Sequence, residues 1–142
     1  MGAVVTGLAP LDRLHRELDR CLGELAAAVR ARDPRGVRGR ICLLAETLSE
    51  HFAAEERMMS TAGWSRLEHH VACHRQILAQ ARALEHLVLS HGLTHEFAVL
   101  SMKHLPEMLR FHQMASDFGF GKFALGVAED PGRRFARRGA RG

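Results

Sequence analysis

The chain has 142 residues, of which 46% are hydrophobic and 25% are charged, with a formal net charge of +4. This composition is typical of a globular protein and excludes a wholly disordered or collagen-like chain. The length favours a single domain, because one core typically serves about 100 to 200 residues. No stretch approaches the roughly 18 consecutive apolar residues of a membrane-spanning helix. The first ten residues lack the basic start of a secretory signal, so we expect a cytoplasmic protein.

Apolar residues recur at helical spacing along most of the chain, and no segment shows sustained strand alternation. The pattern predicts an all-α protein with helices near residues 10–32, 36–61, 65–91 and 94–118. Short connections between them predict antiparallel neighbours. Ser65 and Thr94 are candidate N-caps of the third and fourth helices. Pro106 removes one helical hydrogen bond, which predicts a kink or a late start in the fourth helix.

The net charge is concentrated at the C-terminus. Residues 1–118 contain 14 Lys and Arg and 14 Asp and Glu, whereas residues 119–142 contain 6 and 2. With its glycines and the basic run from Arg133 to Arg138, this segment is expected to be a flexible basic extension of the helical domain at 1–118. It could contact an acidic protein or a membrane surface, or it could be a solvated terminus. No nucleic-acid role is expected, because stacking aromatic residues are lacking.

Histidine is the unusual component of the composition, with ten residues, whereas the three cysteines show no CxxC spacing and predict reduced thiols. His51 and Glu55 are four residues apart on the second predicted helix, and His70 and His74 are four apart on the third. Each pair therefore projects from one helix face. Pairs on facing helices can converge in a bundle core and bind a metal ion.

The fourth predicted helix carries a pair with a different spacing. His112 and Asp117 are five residues apart, which places them about 140° apart on a regular α-helix. Helix geometry alone does not pair them. A single histidine on an apolar face, such as His15, is more often a hydrogen-bonded core residue than a ligand. Buried Glu55 and Asp117 are costly unless paired or metal-bound, so one joint metal site accounts for both.

These motifs resemble the hemerythrin family in its bacterial single-domain form. The pattern H…HxxxE…HxxxH…HxxxxD matches in residue identity, order and local spacing over about residues 10–118. The matching positions are His15, His51, Glu55, His70, His74, His112 and Asp117. The resemblance implies an up-down-up-down four-helix bundle around two non-haem iron ions with an oxo or hydroxo bridge. It implies His70, His74 and His112 on one iron, His15 and His51 on the other, and Glu55 and Asp117 bridging both.

The function implied by the resemblance is reversible dioxygen binding for storage, delivery or scavenging, with no substrate turnover and no catalytic residue. The imidazole-rich ligand set also favours binding over oxidation, because oxygen-activating di-iron sites are carboxylate-rich. Leu18 and Phe52 resemble the family's pocket residues, whereas Met108 and Gln113 replace its usual aromatic and aliphatic residues. An inward Gln113 would hydrogen-bond the ligand or admit water and speed autoxidation.

Three alternatives remain at this point. The chain could be a sensor of O2, NO or redox state that signals through its basic extension. It could be a di-iron enzyme that consumes peroxide or NO, or a bundle that stores iron or holds zinc. The other histidines match no ligand position of the family, which favours surface or capping roles for His69, His86, His91, His95 and His104.

Overall fold

A computed structural model describes residues 5–126, and within this range every regular element is helical. The first three helices span Ala9–Arg30, Pro34–Ala62 and Leu67–His91. The fourth runs from His95 to Leu125. The first helix packs on the second and on the fourth, and the third packs on the second and on the fourth. The predicted all-α four-helix bundle is therefore confirmed.

Local hydrogen bonds account for most of the helix ends. Asp33 accepts the amide of Gly36 at 3.1 Å, and Pro34 follows it at the first helical position, where its missing amide costs nothing. Thr94 caps the fourth helix by accepting the amide of Phe97 at 3.1 Å, as predicted. The third helix begins after Arg66, which makes no side-chain cap. The prediction of Ser65 as its N-cap is therefore wrong.

The fourth helix is continuous but not uniform. Regular α-helical segments at His95–Val99, Leu105–His112 and Phe118–Leu125 alternate with π-helical segments at Leu100–His104 and Gln113–Asp117. Pro106 lies in the first turn after the first π segment. The helix therefore does not start late at this proline. It widens just before Pro106, because proline has no amide to donate to the regular ladder.

Two apolar clusters fill the bundle. The larger contains residues of all four helices, among them Leu18, Leu48, Phe52, Ile77 and Leu109. The smaller consists of Leu11, Met59, Trp64 and Phe120. On the first and fourth helices the predicted ligands fall between the two clusters, and on the second Glu55 lies between Phe52 and Met59. The candidate site is therefore a polar layer between two apolar ones.

The N-terminal segment and the end of the fourth helix pack together. Both the amide and the hydroxyl of Thr6 donate to Asp12 at 2.7 Å. A Cβ at Gly121 would lie 2.8 Å from the Cβ of Thr6, so only glycine permits this approach. Phe120 is 2% exposed, and burial of this face carries the helix seven residues past the end predicted at residue 118. The rest of the predicted basic extension, residues 127–142, lies outside the described residues.

None of the described helices combines the length and apolarity needed to cross a membrane. The three cysteines are free thiols, with Cys21 buried and Cys42 and Cys73 half-buried.

Candidate metal centre

Five buried side chains meet between the two apolar clusters. Their ligand atoms all lie within 4.8 Å of one another, and they are Glu55, His70, His74, His112 and Asp117. The second helix supplies one of them, and the third and fourth supply two each. All five belong to the predicted ligand set.

The pair on the third helix uses regular helical geometry. His70 and His74 are one turn apart, and both direct Nε2 at the same carboxylate oxygen of Glu55. The distances to Oε2 are 3.5 Å from His70 and 3.0 Å from His74. The four-residue spacing is thus sufficient to place both imidazoles at Glu55.

The pair on the fourth helix depends on the second π segment. Gln113–Asp117 follows His112 directly, and its i→i+5 hydrogen bonds insert one extra residue per turn relative to an α-helix. Asp117 therefore returns to the face of His112, and the distance from His112 Nε2 to Asp117 Oδ1 is 3.2 Å. This local widening explains how a five-residue spacing forms a site.

The first helix completes the arrangement through His15, whose Nε2 lies 2.8 Å from Asp117 Oδ2 and 3.9 Å from Glu55 Oε1. On the opposite side, His70 and His112 approach Asp117 through Oδ1. The two oxygens of Glu55 face different histidines in the same way, since His70 and His74 approach Oε2. Each carboxylate therefore directs one oxygen toward His15 and the other toward the third- and fourth-helix histidines.

His51 is the predicted ligand that lies outside this cluster. Its Nε2 contacts Glu17 Oε2 at 3.1 Å. Its Nδ1 is buried and has no hydrogen-bond partner among the described residues. Glu17 was not predicted from the sequence, because a half-exposed glutamate two residues after His15 resembles an ordinary surface residue.

The chemistry of the donor set fits a metal ion. His74 Nε2, His112 Nε2, Glu55 Oε1 and Asp117 Oδ1 are buried without a well-aligned hydrogen bond among the described residues. Buried polar atoms are normally paired, so these four point to an additional partner. Two ligands bound at about 2.1 Å and 90° to each other lie about 3.0 Å apart. The nitrogen-to-oxygen distances of 3.0 and 3.2 Å match that separation.

The histidines and carboxylates of the cluster shift each other's pKa. Burial lowers the pKa of His70, but hydrogen bonds and charge interactions with Asp117 and Glu55 outweigh it and raise the pKa to about 9. Burial raises the pKa of Asp117, but the imidazoles of His112, His15 and His70 outweigh it and hold the pKa well below its usual value. Without a metal, the layer is therefore an ion-paired network. A bound cation takes the place of its protons.

The outward nitrogens of two ligand histidines have their own partners. His70 Nδ1 contacts the hydroxyl of Ser116, and His74 Nδ1 lies 3.3 Å from Glu56 Oε2. Such contacts hold Nδ1 protonated and leave Nε2 free for the metal. Ser116 and Glu56 were also missed from sequence. Each adjoins a ligand in the chain, but no spacing rule separates them from other polar neighbours.

Aromatic and aliphatic side chains cover the site. Phe52 stacks on His74 with ring centres 3.9 Å apart, and Trp64 meets the edge of His70 at 5.7 Å. Leu18 is 1% exposed in the large cluster. The two predicted pocket residues Leu18 and Phe52 are thus part of an apolar wall.

The other two predicted pocket residues occupy different surroundings. Gln113 is buried and shares with His15 a cleft of about 450 Å³ between the first and fourth helices. Met108 is 38% exposed and lies in a separate outer cleft of about 220 Å³ with Cys73 and His112. Its role in a ligand pocket stays a prediction, because this outer cleft also reaches the candidate ligand His112.

A four-helix bundle that gathers buried imidazoles and carboxylates between two apolar layers defines a cation-binding bundle. The family model of the hemerythrin HHE cation binding domain matches residues 6–120 of this chain. The chain belongs to the hemerythrin family. No curated protein and no solved structure matches it significantly.

Proposed function

We propose that this chain holds two iron ions in the polar layer and binds dioxygen reversibly. The proposal rests on one observation: Glu55 and Asp117 each direct their two carboxylate oxygens at two different groups of histidines. Asp117 directs Oδ2 at His15 and Oδ1 at His112. A carboxylate whose two oxygens face different imidazole groups is suited to bridge two cations. The bound iron pair would supply the electrons that make dioxygen binding strong and reversible.

The proposed ligands form two iron positions, one on each side of the two carboxylates. One position is formed by the three histidines of the third and fourth helices, namely His70, His74 and His112. The other is formed by His15 and His51, and Glu55 and Asp117 serve both. For His51 to join, its Nε2 must exchange its contact with Glu17 for the metal. Glu17 has a side chain that is 48% exposed, so it can move into solvent when displaced.

The surroundings favour ligand binding over substrate turnover. Phe52 and Leu18 form a buried apolar wall on one side of the layer, and such a wall slows proton delivery to a bound ligand. The ligand set contains five neutral imidazoles and two carboxylates, which stabilises high oxidation states less than a carboxylate-rich set does. Slow proton delivery and a modest anionic charge both favour release of dioxygen unchanged.

Gln113 is the polar exception close to this wall. It is 8% exposed and lies beside His15 in the cleft between the first and fourth helices. Its amide can donate to a small ligand or hold a water near the site. We expect Gln113→Ile to slow autoxidation of the oxygenated protein, as followed by the decay of its visible absorption. An unchanged rate would remove Gln113 from the site.

The experiment that tests the function combines a metal count with visible spectra. Protein loaded with iron and reduced without air is measured before O2, after O2, and again after O2 is removed. We expect two irons per chain and an absorption band that appears and disappears with O2. Immediate oxidation without a reversible band would contradict dioxygen carriage, and one metal per chain would contradict the paired site. Leu89→Ala, on the exposed surface of the third helix, is the control for Gln113→Ile and should behave as the wild type does.

A further inference from the structure

A groove of about 860 Å³ lies between the first and second helices, beside the end of the fourth. Leu8, Leu14, Met58 and Phe120 give it a largely apolar wall, and all of them except Phe120 are half-buried. Apolar surface in a groove of this size commonly marks a place where another group packs. None of the proposed metal ligands lines this groove.

Three charged side chains occupy defined levels of the groove, namely Arg13, Glu17 and Arg57. The first and second helices are antiparallel, and the contact between His15 and Glu55 fixes their relative register. Arg13 therefore lies at the level of Arg57, and Glu17 lies about 6 Å further along the first helix. From the N-terminal end of the first helix, the groove thus presents an apolar stretch, then two arginines, then a glutamate.

The described part of the chain ends beside the apolar stretch of this groove. Ala124 lines the groove, and a Cβ at Gly7 would lie 3.1 Å from Cδ1 of Leu125, so the end of the fourth helix adjoins the start of the first. The fourth helix stops at Leu125, where Gly126 adopts a left-handed conformation. The residues that follow are therefore tethered at the groove, which makes their local concentration there high.

The sequence that follows the fourth helix has the complementary order of groups. Residues 127–128 are apolar, residues 129–130 are Glu and Asp, and residues 133–134 are both Arg. The segment is thus acidic where the groove is basic, and basic where the groove is acidic. Seven residues of extended chain reach about 23 Å, whereas the first helix rises only about 10 Å from Pro10 to Glu17. The segment is therefore long enough to follow the groove.

We propose that residues 127–135 fold back into this groove of their own chain. In that arrangement the acidic pair of the segment meets Arg13 and Arg57, and its basic pair meets Glu17. The opposite chain direction would place arginines against arginines, so charge complementarity selects the direction that runs toward Glu17. Tethering beside the groove favours this segment over a separate molecule of the same charge pattern.

The docked segment acts on the metal layer through Glu17. Glu17 Oε2 contacts His51 Nε2 at 3.1 Å, and this contact must open before His51 can bind a metal ion. The arginines of the segment compete with His51 for that carboxylate. Docking therefore releases His51 toward the metal, and a metal ion bound by His51 in turn favours docking. This link rests on the proposed di-iron function, whereas the docking itself does not.

Proteolysis of the full chain tests the docking. Chymotrypsin cuts after aromatic residues, and Phe135 is the only aromatic residue of the sequence 127–142. The rate at which residues 136–142 are lost, followed by mass spectrometry, therefore reports how often the segment is undocked. We expect the metal-free protein to be cut about tenfold more slowly than a free peptide of residues 127–142. Equal rates would overturn the proposal.

Two charge reversals on the first helix separate the groove from general charge effects. Arg13→Glu should speed the cleavage about fivefold, the scale of one surface ion pair. Arg16→Glu makes the same change at an exposed residue outside the groove and should leave the rate unchanged. Adding Glu129→Lys to Arg13→Glu restores an opposite-charge pair and should recover protection. Equal acceleration by both single variants, or no recovery in the double variant, would overturn the pairing. Circular dichroism shows that each variant is folded.

Protein concentration and iron give the remaining outcomes. Protection that grows with protein concentration would place the segment in the groove of a second copy and overturn the intramolecular contact. Loading with Fe²⁺ in the absence of air should slow the cleavage a further fivefold or so, and Glu17→Gln should remove this response. A rate unchanged by bound iron would overturn the link through Glu17. Failure to take up iron would overturn the proposed function, whereas protection of the metal-free protein would still support the docking.

Discussion

The third and fourth helices deliver ligands to the same layer by different means. The third uses a regular α-helix, in which a spacing of four residues places His70 and His74 at Glu55. The fourth uses a spacing of five residues and a π-helical segment to bring His112 to Asp117 at 3.2 Å. The first pair follows from sequence spacing and ideal geometry. The second exists only because the backbone departs from that geometry.

The π segment also preserves the packing of the fourth helix on both sides of the ligands. Leu109 is buried in the large cluster before the π segment, and Phe120 is buried in the small cluster after it. One extra residue between them rotates everything that follows by about 100° in a regular α-helix. The π segment absorbs this rotation, so the ligand pair and the apolar face are satisfied together. The fourth helix is thus the more specialised of the two, and the variants below probe that difference.

The largest effect is expected from inserting one alanine after Ala115, an exposed residue of the π segment. The π segment already absorbs one extra residue, so a second would rotate Asp117 and Phe120 by about 100° away from their present faces. We expect loss of metal binding and a fall in the unfolding free energy of the apoprotein of about 3 to 5 kcal/mol, because a large apolar side chain leaves the core. Metal analysis and urea denaturation measure the two effects. Ala115→Ser keeps the length and is the control, and an insertion variant with full metal content would refute the dependence of the site on this register.

A second large effect is expected from Asp117→Asn, which keeps the size of the side chain and removes its charge. His15, His70 and His112 all contact this carboxylate. Removing one partner of a buried charged network costs about 3 to 5 kcal/mol. We expect a loss of that order in the apoprotein, measured by chemical denaturation at neutral pH. Glu24→Gln, which affects an ion pair with Arg40 at the surface, is the control and should change stability by less than about 1 kcal/mol.

An intermediate effect is expected from the partners of the outward histidine nitrogens. Ser116→Ala removes the contact to His70 on the fourth-helix side, and Glu56→Gln weakens the contact to His74 within the regular region. Loss of such a partner typically lowers metal affinity about 10- to 100-fold. Both partners are half-buried, so we expect losses of similar size in the two variants. Competition with a chelator measures both affinities, and an unchanged affinity in either variant would argue against the role of that partner.

The smallest effect concerns the N-terminal segment rather than the two ligand helices. Burial raises the pKa of Asp12, but hydrogen bonds from Thr6 and Gly7 outweigh it and lower the pKa below its usual value. The stabilisation from Asp12 is therefore present above its unfolded-state pKa near 3.9 and is lost as the pH falls below it. Asp12→Asn should cost the apoprotein about 1 to 2 kcal/mol at pH 7 and progressively less toward pH 3. An equal cost at both pH values, measured by denaturation, would show that the charge is irrelevant.

The fold was largely predictable from the sequence because its signals are local. Apolar periodicity predicted the helices, and Thr94 predicted the start of the fourth. The end of the fourth helix was not predicted, since Gly119 and Gly121 resemble a stop signal. Burial of Phe120 and the close approach of Thr6 override the weak helix propensity of these glycines. Tertiary packing of that kind gives no signal in the sequence around the helix end.

The candidate site was predictable in its residues but not in its contacts. His15, Glu55 and His70 were expected and are brought together by the bundle. His51 was also expected, but it contacts Glu17 instead. Asp117 was expected too, but its approach to His112 depends on a π segment that sequence periodicity does not reveal. Ideal helix geometry does not predict where a side chain lies when a π segment positions it.

The contact between His15 and Asp117 joins residues that are 102 positions apart in the chain. Closing so long a loop is entropically unfavourable, so such contacts form late during folding. During synthesis, most of the chain must leave the ribosome before the first helix can meet the last. The complete donor layer therefore exists only once the final helix has docked on the first.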